Sequence, residues 1–135
     1  MSRVGPLKLK IMVFCGEVTA MGPGKADLLE AIDREGSISA AGRIMGMSYR
    51  RAWSLVDTMN RCWTGPVVQT AVGGASKGGA RLTPFGVRLL AAYRELEDML
   101  MTAAADGPFH DFEHDLLAKP RPQAPAAEGA PHKDA

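Results

Sequence analysis

Residues 36–63 read GSISAAGRIMGMSYRRAWSLVDTMNRCW, a short helix, a glycine turn and a second helix that opens on an arginine pair. Ser37 or Ser39 can cap the first helix, and Ala40, Ala41 and Gly42 are small enough for close helix contact. Gly46-Met47-Ser48 supplies the turn, with Ser48 as the second cap. From Ala52 the apolar positions run Ala52, Val56, Met59 and Trp63, spaced i, i+4, i+7 and i+11, hence on one helix face. The opposite face carries Arg50, Ser54, Asp57 and Arg61, with Arg51 beside it. One face packs and the other is built to meet an anion. Arginines and small polar residues in the first turns suit a helix that enters the DNA major groove, because its N-terminal turns face base edges and phosphates. A solvated basic face on an ordinary helix pair is the competing reading, and the flanking sequence decides between them.

Downstream, Thr64-Gly65-Pro66 breaks the helix, and Val67 to Val72 is β-branched and strand-like. Residues 73–79, GGASKGG, make a glycine loop with Lys77 near its tip, and Ala80-Arg81-Leu82-Thr83 returns as a strand. A hairpin directly after such a helix is a wing, whose basic tip would follow the DNA backbone. A phosphate-cradling nucleotide loop is excluded. Gly78-Gly79-Ala80-Arg81 lacks the following Lys-Ser or Lys-Thr, and Gly24-Lys25 leads into Ala26.

Charge placement agrees with a nucleic-acid partner. The chain as a whole carries only +1. Between Arg43 and Arg94, however, eight basic residues face a single acid, Asp57. Residues 1–104 are net +4 and residues 105–135 net −3, so an acidic tail masks a basic body. Asp57 is expected to pair with Arg61 at i+4, worth tenths of a kcal/mol.

A length of 135 residues supports one domain. The expected organisation is a DNA-binding domain over 1–104 and a Pro/Ala-rich disordered tail over 105–135, interrupted by one or two amphipathic turns between Phe109 and Leu117. His110 and His114 are four apart there, but a zinc site would need further ligands and a scaffold, so no metal or cofactor is expected. Cys15 and Cys62 form no CxxC and are expected as small buried hydrophobes. With no apolar leader and no 18-residue apolar run, the expectation is a cytoplasmic, nucleoid-associated protein with reduced thiols and no membrane partner.

The rest completes a mainly α fold with a small β component, a winged helix-turn-helix with a long C-terminal dimerisation helix. Leu7, Leu9, Ile11 and Val13 alternate with Lys8, Lys10, Met12 and Phe14, predicting one amphipathic N-terminal strand. Gly24 to Glu35 reads as the first helix, with Leu28, Leu29 and Ile32 inward. Thr83-Pro84 is a cap and a first-turn proline, opening a helix to about Ala104. Its inward stripe is expected to be Phe85, Leu89, Ala92, Leu96 and Met99 or Leu100. Leu90, Tyr93, Met99 and Met101 widen the apolar arc beyond the needs of a small core, which predicts a symmetric homodimer through this helix, assisted by the N-terminal strand.

The run GPGKADLLEAIDREGSISAAGRIMGMSYRRAWSLVDTMN, followed by a glycine-rich loop and LTPFG, resembles the N-terminal winged-helix domain of the molybdate-responsive ModE-type transcription regulators. Its Gly-Ser-Ile-Ser-Ala-Ala stretch also resembles the helix-turn-helix of LysR-type regulators. The resemblance covers residues 3–104 and implies a homodimeric bacterial regulator whose Ser48, Tyr49, Arg50 and Arg51 approach the operator with the wing assisting. Family members continue into an oxyanion-binding β-rich module, whereas residues 105–135 are Pro/Ala-rich. The expectation is therefore a stand-alone DNA-binding member, with molybdate responsiveness not carried over.

The candidate DNA-contacting residues are thus Ser37, Ser39, Ser48, Tyr49, Arg50, Arg51, Ser54, Lys77 and Arg81. The expected function is a sequence-specific double-stranded-DNA regulator acting as a homodimer on inverted repeats. The alternative is a protein-interaction or architectural module, with the acidic, Phe-containing segment 106–117 binding a protein partner or folding over the basic face. An enzyme is not expected, because the three histidines all lie in the tail and no nucleophile–base pair can be placed.

Overall fold

A computed structural model describes residues 3–71 and 79–126. Two short antiparallel hairpins come first: β1 (Arg3–Val4) with β2 (Leu7–Lys8), then β3 (Val13–Cys15) with β4 (Val18–Met21). The single N-terminal strand expected from the 7–13 alternation is not what forms. Gly5 and Gly16 adopt φ of 57° and 61°, the left-handed turn conformation, and fold the segment back on itself twice.

Helices α1 (Pro23–Glu35), α2 (Ile38–Ile44) and α3 (Tyr49–Cys62) follow within one residue or two of the sequence expectation. α1 opens on Pro23 and closes at Gly36, whose φ of 77° is the usual left-handed helix end. Leu28, Leu29 and Ile32 have no exposed surface and form the centre of the core. α2 packs on α1, and α3 on α2. Ser37 caps α2 by accepting from the Ala40 amide at 3.0 Å, and Ser48 caps α3 by accepting from the Arg51 amide at 3.1 Å. Ser39 is not the cap; its Oγ accepts from Arg43 Nη1 at 3.0 Å. The α2–α3 turn is tight because Gly42 is bare: a Cβ there would sit 3.2 Å from the Ala52 Cβ.

β5 (Val68–Thr70) and β6 (Ala80–Leu82) pair antiparallel in the register Val68–Leu82, Gln69–Arg81 and Thr70–Ala80. The hairpin predicted after α3 is therefore present, shorter than the 67–72 and 80–83 strands expected. Residues 72–78 of the loop, including Lys77, lie outside the described residues. The Ala80 amide donates to the Gly36 carbonyl at 2.8 Å, fastening the returning strand to the α1–α2 junction.

Helix α4 (Pro84–Ala105) begins where expected. Thr83 Oγ1 accepts from the Gly86 amide at 2.9 Å and donates to the Pro66 carbonyl at 2.7 Å. Its inward face differs from the predicted stripe. Phe85 and Leu89 do pack on the core, joined by Leu90 and Tyr93, while Glu97 and Met101 are buried further along. Ala92, Leu96, Met99 and Leu100 stand outward. The helix is turned so that Arg94 can reach α1, where it binds Asp27 at 2.7 Å and Glu30 at 2.9 Å, and Glu97 on its own helix at 2.9 Å. Tyr93 donates its hydroxyl to the Ile11 carbonyl at 2.7 Å, tying the N-terminal segment to α4.

Beyond α4, residues 108–111 and 113–115 make two 3-10 turns, with Phe109 and Phe112 edge-on at 5.3 Å. Residues 127–135 of the expected disordered tail lie outside the described residues. No helix among the described residues is long and apolar enough to cross a membrane.

Candidate nucleic-acid interface

Three residues of α3, Ala52, Val56 and Met59, are buried as their spacing predicts. That fixes the roll of the helix and decides what the other positions can reach. Arg50 and Ser54 are exposed on the side away from the core, and Asp57 pairs there with Arg61 at 3.0 Å. Both partners of that pair are well solvated, so it adds little stability.

Arg50 and Arg51 are exposed, but neighbouring residues on a helix are set about 100° apart. Arg51 lies toward the N-terminal hairpin, at the edge of a cavity of about 180 Å³ that it shares with Met12, Lys25, Met45, Met47 and Leu55. Arg50 stands on the outer face. The structure thus separates the two arginines that the sequence reading grouped. Arg50, Arg51 and Arg81 have no acidic partner among the described residues, whereas Arg94 is neutralised by its three carboxylates and Arg88 lies over the Phe85 ring at 5.6 Å. The eight cations counted from the sequence are therefore not equally available: Arg94 holds the fold together.

Among the serines, Ser37 and Ser48 use their hydroxyl acceptors as caps and Ser39 holds Arg43. Ser54 is exposed with its hydroxyl uncommitted to any hydrogen bond within the described residues. Tyr49 is 57% exposed at the first position of α3.

Two contributors escaped the sequence reading. Trp53 is 47% exposed, one turn after Tyr49 on the same edge of α3. The i,i+4 spacing of Tyr49 and Trp53 was the available signal. The second is Asn60, which fixes the hairpin to the helix. Its Oδ1 accepts from the amides of Val67 at 2.7 Å and Val68 at 3.0 Å, while its Nδ2 donates to the Val68 carbonyl at 3.1 Å. Arg81, on β6, is exposed and is carried by the hairpin that Asn60 positions.

The cysteines also depart from expectation. Cys15 is exposed rather than buried, and Cys62, at the end of α3, is half-buried. Burial, with the Cys15 thiol beside it, pushes the Cys62 thiol pKa up.

No protein-family model matches the chain. Curated relatives do. Residue identity is 46% over 79 residues with the molybdenum transport protein ModE of Azotobacter vinelandii, covering 58% of this chain and 29% of that protein. It is 52% over 77 residues with the molybdenum-pterin-binding protein MopB of Rhodobacter capsulatus, covering 57% of this chain and 28% of the relative. With the DNA-binding transcriptional dual regulator ModE of Escherichia coli (strain K12) it is 39% over 71 residues, 53% of this chain and 27% of the relative. This chain is similar to ModE-type proteins over more than half its length. It spans less than a third of the length of those relatives. Some of the ModE relatives are named as transcriptional regulators and others as molybdenum transport proteins, while MopB is named as molybdenum-pterin-binding.

Proposed function

We propose that this chain is a winged helix-turn-helix module that binds double-stranded DNA sequence-specifically as a transcription regulator, in the cytoplasm and without enzymatic activity. The observation that carries the reading is the exposed N-terminal face of α3. It presents Arg50 and Ser54 on the outer side, with Arg51 on the adjoining side and no acid in the first two turns, beside a hairpin carrying Arg81. A helix of this kind enters the major groove at its N-terminal end, and the hairpin follows the backbone. The similarity to DNA-binding regulators named ModE supports the same reading.

The chain acts as a homodimer through α4. Leu96, Met99 and Leu100 are 39%, 62% and 43% exposed on its outer side, an apolar stripe that the single chain leaves in water. Two α3 helices related by a twofold axis would enter successive major grooves about 34 Å apart, so the target is an inverted repeat. Ser48 and Lys77 contribute backbone contacts, and Tyr49 approaches a base or sugar edge. Segment 106–117, with Phe112, Leu116 and Leu117 exposed, supports a second reading in which the tail binds a protein partner.

The test is capture of sheared bacterial genomic DNA by the purified protein at two salt concentrations. A few inverted-repeat sites retained at the higher salt support the regulator. Broad, salt-sensitive capture means an architectural binder, and no capture favours the protein-docking reading. On a recovered site, Arg50→Ala and Arg51→Ala each weaken binding by ~1–3 kcal/mol, while Lys77→Ala mainly flattens the salt dependence.

A further inference from the structure

The fold leaves Trp53 47% exposed and Tyr49 57% exposed, on a helix whose buried residues are Ala52, Val56 and Met59. Neither ring is needed to close the core. Arg50 and Ser54 flank the pair on the outer face, and no acid in the described part of the helix lies within its first two turns. An apolar strip bordered by an unpaired cation complements a surface that is anionic overall yet locally apolar. Among base edges in the major groove, the thymine 5-methyl group is the apolar feature.

We propose that Trp53, with Tyr49, forms a strip that seats thymine methyl groups, making Trp53 a specificity-determining residue. This rests on the DNA-binding reading. It assigns thymine recognition to side chains outside the arginine pair, and it predicts a thymine in each half-site opposite the second turn of α3. Losing one methyl contact forfeits roughly the transfer free energy of a methylene, which corresponds to about a fourfold change in affinity.

The test uses the full chain and duplexes it selects from a random double-stranded pool. Each thymine of a selected site is replaced in turn by deoxyuridine, which removes only the methyl group. The expected result is a three- to tenfold loss of affinity at one thymine per half-site. Trp53→Ala should lose a similar factor on the thymine duplex and no longer distinguish it from the uridine duplex. Uridine substitution without effect at every position would overturn the proposal using the unmodified protein alone. So would a Trp53→Ala protein that keeps the discrimination. If the protein selects no duplex, the DNA-binding reading itself fails; selection followed by indifference to uridine overturns only the role of Trp53.

Discussion

Arg94 donates to Glu97 at 2.9 Å from a position one helical turn away, and Glu97 is only 2% exposed. The second carboxylate oxygen of Glu97 is buried without a hydrogen-bond partner among the described residues. Its nearest compensation is the guanidinium, which also grips Asp27 and Glu30 of α1. Arg94→Met should therefore destabilise the fold by about 3 kcal/mol or more, because it strands a buried charge. The double variant Arg94→Met/Glu97→Leu should recover much of that loss. Urea unfolding of the two variants measures the difference.

Asn60 is the joint between α3 and the hairpin. Asn60→Ala leaves the Val67 and Val68 amides without their acceptor and should cost about 2–4 kcal/mol, on the scale of one to two unsatisfied buried donors. Asn60→Asp keeps the acceptor but turns oxygen toward the Val68 carbonyl in place of a donor. It should fall between the two. Thermal unfolding of the three proteins orders them.

Gly86 is required by close approach. A Cβ at that position would lie 2.2 Å from the Val67 carbonyl oxygen, which is backbone and cannot swing aside. Gly86→Ala should destabilise by about 2 kcal/mol or more. Gly24→Ala, where nothing lies within 4 Å, should be neutral or mildly stabilising. Side-by-side chemical denaturation separates the two.

Burial, and then the Glu97 carboxylate, push the Tyr93 phenol pKa up to about 12 from 10. The folded state thus holds this proton more tightly than the unfolded chain. The contribution of Tyr93 to stability is complete below about pH 10 and is lost as pH rises from there through 12. Ultraviolet titration of tyrosinate should show a late transition near pH 12. Tyr93→Phe should remove the late transition.

The parts of the fold legible in the sequence were those set by local rules. Caps at Ser37, Ser48 and Thr83, glycine at 36 and the 3.6-residue spacing of α3 act within a few residues, and each element they define appears close to its expected place. What was missed depends on distant partners. The roll of α4 packs Phe85, Leu89, Leu90 and Tyr93 on the core and sets Arg94 against carboxylates 64 and 67 residues away, contacts that the local pattern of Ala92, Leu96 and Met99 does not encode. The N-terminal alternation is compatible with one strand or with two hairpins, and Gly5 and Gly16 selected the latter. At the candidate interface, Arg50 and Ser54 were readable from the wheel of α3. Trp53 was missed because an aromatic residue in an amphipathic helix is ordinarily assumed to be core, and its spacing from Tyr49 gains meaning only once both are seen to be exposed.

Thr83 joins the Pro66 carbonyl to the first turn of α4 through one hydroxyl, and so sets the angle at which that helix leaves the body. With 22 residues, α4 is a lever about 33 Å long. A tilt of about 5° at its root displaces its far end by roughly 3 Å, close to the 3.4 Å rise between neighbouring base pairs. If the chain dimerises along α4 as proposed, the permitted spacer between operator half-sites would be gauged at this threonine. Substitutions around Thr83 would alter which spacer length is accepted while leaving the half-site sequence unchanged.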